Sequence, residues 1–249
     1  MKLTPLREFV LKAMLFLPLA FTIWFALNSL VAYPVVRAAI PVIEWLAPGM
    51  LNEASQDYFR LGFSYVVNLS GVQGLPGSRL LVDGQALNVL IYAYCIPLFF
   101  GLVAATPLSW RRTFLQWGIG SAVMFVSITL GTVAGVLFMM MFGVENAVIS
   151  ALRSEGFSHL AQQAGAAASA DVALRMGEHG WGPNSIGLFY QFTYLILPPV
   201  VPIATWIVLN RRFLESLVGW NDEEPAATAA VEHATSQASS TQEPGAPSE

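Results

Sequence analysis

Arg112-Thr-Phe-Leu-Gln-Trp-Gly-Ile-Gly-Ser-Ala-Val-Met-Phe-Val-Ser-Ile-Thr-Leu-Gly-Thr-Val-Ala-Gly-Val-Leu-Phe-Met-Met-Met-Phe-Gly-Val-Glu145 is the stretch from which the architecture follows. No charged side chain interrupts it, and it outruns the ~20 apolar residues that carry a helix across a ~30 Å hydrocarbon core. A helix is the form such a segment takes in lipid, because it pairs every backbone N–H and C=O internally. Three more uncharged stretches exceed that length: Lys12 to Arg37, Asp83 to Arg111 and His179 to Arg211. The sequence therefore predicts an all-α transmembrane protein, a four-span helical bundle with spans at Ala13–Val35, Leu87–Ala105, Phe114–Met141 and Ile186–Leu209. Composition agrees, with 55% apolar and 11% charged residues, where a soluble domain carries about 25% charged.

The basic residues predict orientation. Arg7 and Lys12 precede the first span, Arg111 and Arg112 occupy the short link between the second and third, and Arg211 and Arg212 follow the fourth. The long segments between hold few cations for their length, so the positive-inside bias predicts an N-in/C-in topology. Cytoplasmic segments are then 1–12, 106–113 and 210–220, and extracytoplasmic loops are 36–86 and 142–185. The first apolar run is longer than a signal-peptide core and lacks a small-x-small cleavage site at Leu30-Val-Ala32, which favours a retained anchor. The formal charge of −4 is concentrated in a tail that includes Asp222, Glu223, Glu224 and Glu232. Nothing in it points to nucleic acid.

Within the first loop, the proline-punctuated segment from Pro34 to Pro48 predicts an interfacial helix, with Trp45 suited to the water–lipid boundary. Phe59, Leu61, Phe63, Tyr65, Val67 and Leu69 then recur with a period of two, the mark of a strand with one apolar face. Turn formers follow, and Arg79-Leu-Leu-Val-Asp83 returns as a second strand, giving a small extracytoplasmic β-hairpin. The second loop reads as one or two surface helices, from Val148, Ile149, Leu152 and Leu160 and the alanine-rich run after them. Residues 221–249 have the composition of a disordered tail.

No catalytic constellation emerges. Cys95 lies mid-span without a nearby base or cation, so its expected role is packing. A single cysteine excludes a disulfide framework or a multi-cysteine metal site. His159 and His179 have no compact ligand spacing and read as solvated loop residues. The spans carry no carboxylate, which weakens a proton- or ion-coupled transport reading. Neither a cofactor nor a metal is expected.

Packing features are clearer. Gly131-Thr-Val-Ala-Gly135 forms a small-xxx-small stripe that admits a close helix, with internal packing, chance and oligomerisation all open. Pro198, Pro199 and Pro202 interrupt the hydrogen-bond ladder of span four, and Pro97 bends span two. Asn88, Gln191 and Thr193 are candidates to bond across helices.

Residues Leu6-Arg-Glu-Phe9, Leu17-Pro-Leu-Ala-Phe21, Trp24, Asn88 to Leu98, Ala104-Ala-Thr-Pro107, Tyr190-Gln191, Leu195 to Pro198, Pro202, Trp206 and Asn210 to Leu214 make the chain similar to the exosortase H-associated membrane protein family. These are small bacterial proteins accompanying an exosortase that handles C-terminally tagged surface proteins. In that family proline often follows the span-two asparagine and glycine its second tyrosine, where this chain has Val89 and Cys95. The departures argue against a role for an Asn-Pro pair or for Cys95 as a family-wide reactive group. The resemblance implies a multi-pass protein of the bacterial inner membrane with a non-enzymatic accessory role. Its partners would be the lipid bilayer, an exosortase and the exosortase's tagged substrates. It also adds Tyr92, Tyr190 and Trp206 to the candidate packing or interaction residues. The alternative is a small transporter or lipid-handling protein built around the proline-broken fourth span.

Overall fold

The computed structural model describes residues 5–69, 72–75 and 79–218. The expected disordered tail lies outside them. Helices α1 (Pro5–Ala26) and α2 (Asn28–Leu46) lead into strands β1 (Leu51–Asp57), β2 (Arg60–Asn68), β3 (Arg79–Asp83) and β4 (Leu87–Asn88). Then come α3 (Leu90–Ala93), α4 (Cys95–Ala105), α5 (Trp110–Ser154), α6 (Ala161–Glu178), α7 (Pro183–Gln191), a π-helical turn (Phe192–Ile196), α8 (Leu197–Leu209) and α9 (Arg211–Val218).

The organising element is α5, 45 residues in one helix. At 1.5 Å per residue it is about 67 Å long, roughly twice a hydrocarbon core. The sequence-based third span was expected to stop at Met141, and the surface helix expected near Val148 is instead the continuation of α5. No proline or capping break follows Met141, and Val144, Val148, Ile149 and Leu152 stay buried on one helical face. The alanine face of α6 covers that end. Gly165 makes the approach possible, since a Cβ there would lie 3.1 Å from the Glu145 carbonyl oxygen.

The first half of α5 joins α1, α4 and α8 in a helical bundle built on similar close approaches. Leu17 of α1 fills the space over Gly101 of α4, and Phe99 of α4 lies over Gly120 of α5. Four helices are long and apolar enough to cross a membrane: Leu6–Ala26, Asn28–Leu46, Trp110–Ser154 and Pro183–Leu209. This departs from the expected spans in two places. The helix expected from Leu87 starts at Leu90 and runs as a shorter apolar helix to Ala105, because Leu87 and Asn88 pair with Leu61 and Arg60 of β2. The first span, expected over Ala13–Val35, is divided at Leu27. Asn28 donates its side-chain amide to the Phe25 carbonyl at 2.7 Å, offering the backbone a local alternative to the helical ladder. Beyond that elbow the expected short interfacial helix is a 19-residue helix running through Pro34 and Pro41. Its face of Ala32, Val35, Val36, Ala39 and Ile43 is buried.

The expected hairpin is present as β2 and β3, antiparallel, with Tyr65 opposite Val82 and Val67 opposite Leu80. The sheet is larger than a hairpin: β1 pairs antiparallel with β2 on the other side, through a tight turn at Tyr58 and Phe59. Tyr65 is fully buried and stacks on Phe63 at 5.9 Å, and burial pushes its phenol pKa up to about 12. Where β1 ends, side chains of α6 take over its ladder. Arg175 donates to the Val66 carbonyl at 3.0 Å and to the Gly49 carbonyl at 2.9 Å. Asp171 accepts the Asn68 N–H at 3.0 Å. The sheet is thus fastened to α6, and through it to the far half of α5.

Candidate functional site

The sequence-selected residues fall into two groups at different levels of the bundle. The first surrounds the π-helical turn. Pro198 and Pro199 cannot return N–H bonds to the preceding turn, and the Leu197 N–H reaches back five residues to the Phe192 carbonyl. The π turn is the local solution to that missing ladder, and such turns often mark functional positions. It sets Tyr194 beside Tyr190, stacked at 5.5 Å, while Tyr190 stacks on Phe138 of α5 at 4.2 Å. Tyr92 meets Tyr194 edge-on at 6.3 Å.

Tyr92 is seated on the glycine stripe. A Cβ at Gly131 would lie 2.5 Å from its ring, and one at Gly135 would lie 2.6 Å from its hydroxyl. Among the described residues that hydroxyl is buried without a hydrogen-bond partner. The stripe therefore receives a side chain of the same chain on this face. Cys95, one turn on, is fully buried and its thiol contacts the Tyr92 carbonyl at 3.4 Å. Pro97, Pro198 and Pro202 are also buried.

The cross-helix bonds expected of Asn88, Gln191 and Thr193 take another form. Asn88 accepts the Leu90 N–H at 3.0 Å, turning the chain from strand into helix. Thr193 donates to the Tyr190 carbonyl within its own helix, and Gln191 is exposed. The bonds of Asn88 and Thr193 are thus local ones to the backbone, the competition with cross-helix pairing that such side chains commonly offer.

The bridging is done by a second group, at the end of the bundle where α1 begins, α4 ends and α8 ends. Gln116 and Asn210 exchange amide bonds at 3.0 and 3.1 Å. Trp206 donates its indole N–H to the Thr106 hydroxyl at 3.0 Å and stacks on Phe9 at 5.4 Å. Sequence reading selected Trp206 but missed Gln116, Asn210 and Thr106. Their signal was a lone amide or hydroxyl near the end of an apolar run. Around this end lie the cations from which the orientation is expected: Lys12 is paired with Glu8 at 2.7 Å, Arg211 with Glu215 at 2.8 Å, and Arg111 sits over the Trp110 ring. Arg7, Arg112 and Arg212 are exposed.

His159 and His179 are exposed and do not converge. No cluster of three or more His, Cys, Asp or Glu with metal-binding geometry occurs among the described residues. The site is a packing region of aromatic, proline and small residues, with buried amides joining α5 to the end of α8.

A family model described as exosortase H-associated membrane protein matches residues 3–164 and 157–213. No curated protein and no solved structure matches the chain.

Proposed function

Because the chain belongs to the exosortase H-associated membrane protein family, it is a membrane protein linked by family to exosortase H, and we propose that it acts there as a non-enzymatic accessory subunit. In this reading it lies in the bacterial inner membrane with both termini in the cytoplasm. The crossings in this reading are α1, α4, the first half of α5 and α8, so that α2, the sheet and α6 stand outside the membrane, where an exosortase or its tagged substrate meets them. The observation that carries the reading is the length of α5. A helix of about 67 Å cannot be contained in a ~30 Å core, and its far half bears the sheet through α6.

The orientation is supported by the six cations Arg7, Lys12, Arg111, Arg112, Arg211 and Arg212, which belong to helix ends on one side of the bundle. That is the distribution the positive-inside rule assigns to the cytoplasm. The docking surface is supported by the β1–β2 turn, where Tyr58 is 74% exposed with φ 50. A large aromatic side chain held outward on a strained turn is suited to anchoring a partner.

The test is co-purification from cells expressing the exosortase, with a photo-crosslinking residue substituted at Tyr58. A crosslinked band containing exosortase or tagged substrate is expected. The reading fails if neither partner is crosslinked or retained in mild detergent, or if reporter fusions put the two ends of the chain on opposite faces.

A further inference from the structure

A cavity of about 670 Å3 runs between the α1–α2 elbow and the α4–α5 pair. Its walls include Ile23 and Leu27 at the elbow, Ile96 and Phe100 on α4, and Phe125 on α5, with the Ser121 hydroxyl as a rare polar group. No charged side chain lines it. Leu19, Ile23 and Leu27 on its rim are each about half exposed, so it opens sideways toward whatever surrounds the bundle. Its volume falls within the usual ~300–1,000 Å3 range of small-molecule sites.

Shape selects the occupant. Along α5 the lining runs from Trp117 to Ile128, about 16 Å at the helical rise. Spread over that length, the volume gives a mean cross-section of roughly 40 Å2, less than the section of a helix ~10–12 Å across. A transmembrane helix does not fit. A hydrocarbon chain does: a cavity of ~150 Å3 accepts one benzene ring, so this one has room for on the order of 25 carbons. Trp24 and Trp117 also line the slot, but their indole N–H groups are closed off from it, so an occupant meets an almost wholly apolar wall. In a bundle whose helices are apolar enough to cross a membrane, a slot of this shape that opens sideways is filled by the acyl chain of a surrounding phospholipid.

The geometry points to a binding site for one acyl chain of a membrane phospholipid in the slot between the α1–α2 elbow and α4–α5. The chain fills the space under the elbow and fixes the angle at which α2 leaves the bundle. This site is separate from the hairpin surface and does not depend on an exosortase partner.

The test uses the full chain reconstituted in vesicles of dibrominated-acyl phosphatidylcholine, then extracted and washed in lipid-free detergent. Native mass spectrometry is expected to find about one retained phospholipid per chain, with tryptophan emission still quenched by the bromines. The double variant Ala20→Phe/Ala104→Phe, which fills the slot from two walls, is expected to lose the retained lipid roughly tenfold while melting within a few degrees of the parent. Loss of quenching at the first detergent wash overturns the proposal, as does undiminished lipid retention by a folded double variant. If the double variant does not fold, lipid retention by the parent chain decides the matter. A variant that loses exosortase co-purification when the parent retains no lipid would also overturn it, assigning the slot to protein.

Discussion

Removing Arg175 should loosen the sheet from the long helix without unfolding the bundle. In Arg175→Ala two carbonyls, of Val66 and Gly49, lose guanidinium donors held at 3.0 and 2.9 Å. Hydrogen bonds to a charged group contribute about 1.5–3 kcal/mol each. The Arg175 side chain is 28% exposed, so water replaces part of that, and about 2 kcal/mol for the pair is a reasonable net. The neighbouring Asp171 carboxylate, 3.7 Å away, keeps its bond from the Asn68 N–H, so β2 is released at one point and held at the next. Amide hydrogen exchange in detergent should show β1 and the Val66 to Asn68 part of β2 exchanging about 30-fold faster, with amides of α4 and the first half of α5 unchanged. Arg175→Lys should recover less than half of the loss, because an ammonium cannot fork between two carbonyls. Unchanged exchange in the sheet would refute the idea that α6 fastens it. Equal acceleration throughout the bundle would refute its local character.

Three further outcomes are expected. Gly131→Leu drives a side chain into the space of the Tyr92 ring and should destabilise the bundle by about 1–3 kcal/mol, read as a lower melting temperature in detergent; an unaffected melt would mean that the glycine stripe is not a packing groove. Gln116→Ala and Asn210→Ala should each cost about 1–3 kcal/mol by orphaning a buried amide, while the double variant costs clearly less than their sum; strict additivity in denaturant titrations would contradict the reciprocal pair. Tyr65, whose phenol pKa is pushed up to about 12 by burial, contributes stability that is complete below pH 10 and lost as pH rises through the folded value. Melting followed across pH 10–12 should fall more steeply for the parent than for Tyr65→Phe, and parallel curves would argue against a buried phenol.

The apolar helices and the central strand were legible because both signals are periodic. Every second residue of Phe59 to Leu69 is large and apolar, and β2 buries that face as the middle strand. β1 escaped notice because an edge strand covered on one side needs no alternating apolar face, and Leu51-Asn-Glu-Ala-Ser-Gln-Asp57 reads as a polar loop. The elbow at Leu27 was hidden for another reason. Hydropathy is continuous across it, and only a side-chain bond from Asn28 to Phe25 marks the break. The continuity of α5 past Met141 was not legible because the apolar run stops at Glu145, and a charge limits a membrane crossing but not a helix. In the candidate site, glycine spacing and prolines drew attention to the right segments. The partners remained hidden: Tyr92 reaches Gly131 and Gly135 across some forty residues, and Gln116 meets Asn210 across an interval longer still.

The length of α5 has a mechanical consequence. In the proposed placement about 37 Å of it projects past a ~30 Å core, and the helix is then a lever pivoted in the bilayer. A change of tilt of ~10°, well within what spanning helices adopt when lipid thickness varies, sweeps its far end sideways by roughly 6 Å. In the proposed placement, membrane thickness would shift α6 and the Asn68 end of β2 that Asp171 holds, while the Tyr58 turn, tied to the start of α3 through the bond from the Val89 N–H to the Phe59 carbonyl, would stay near the pivot.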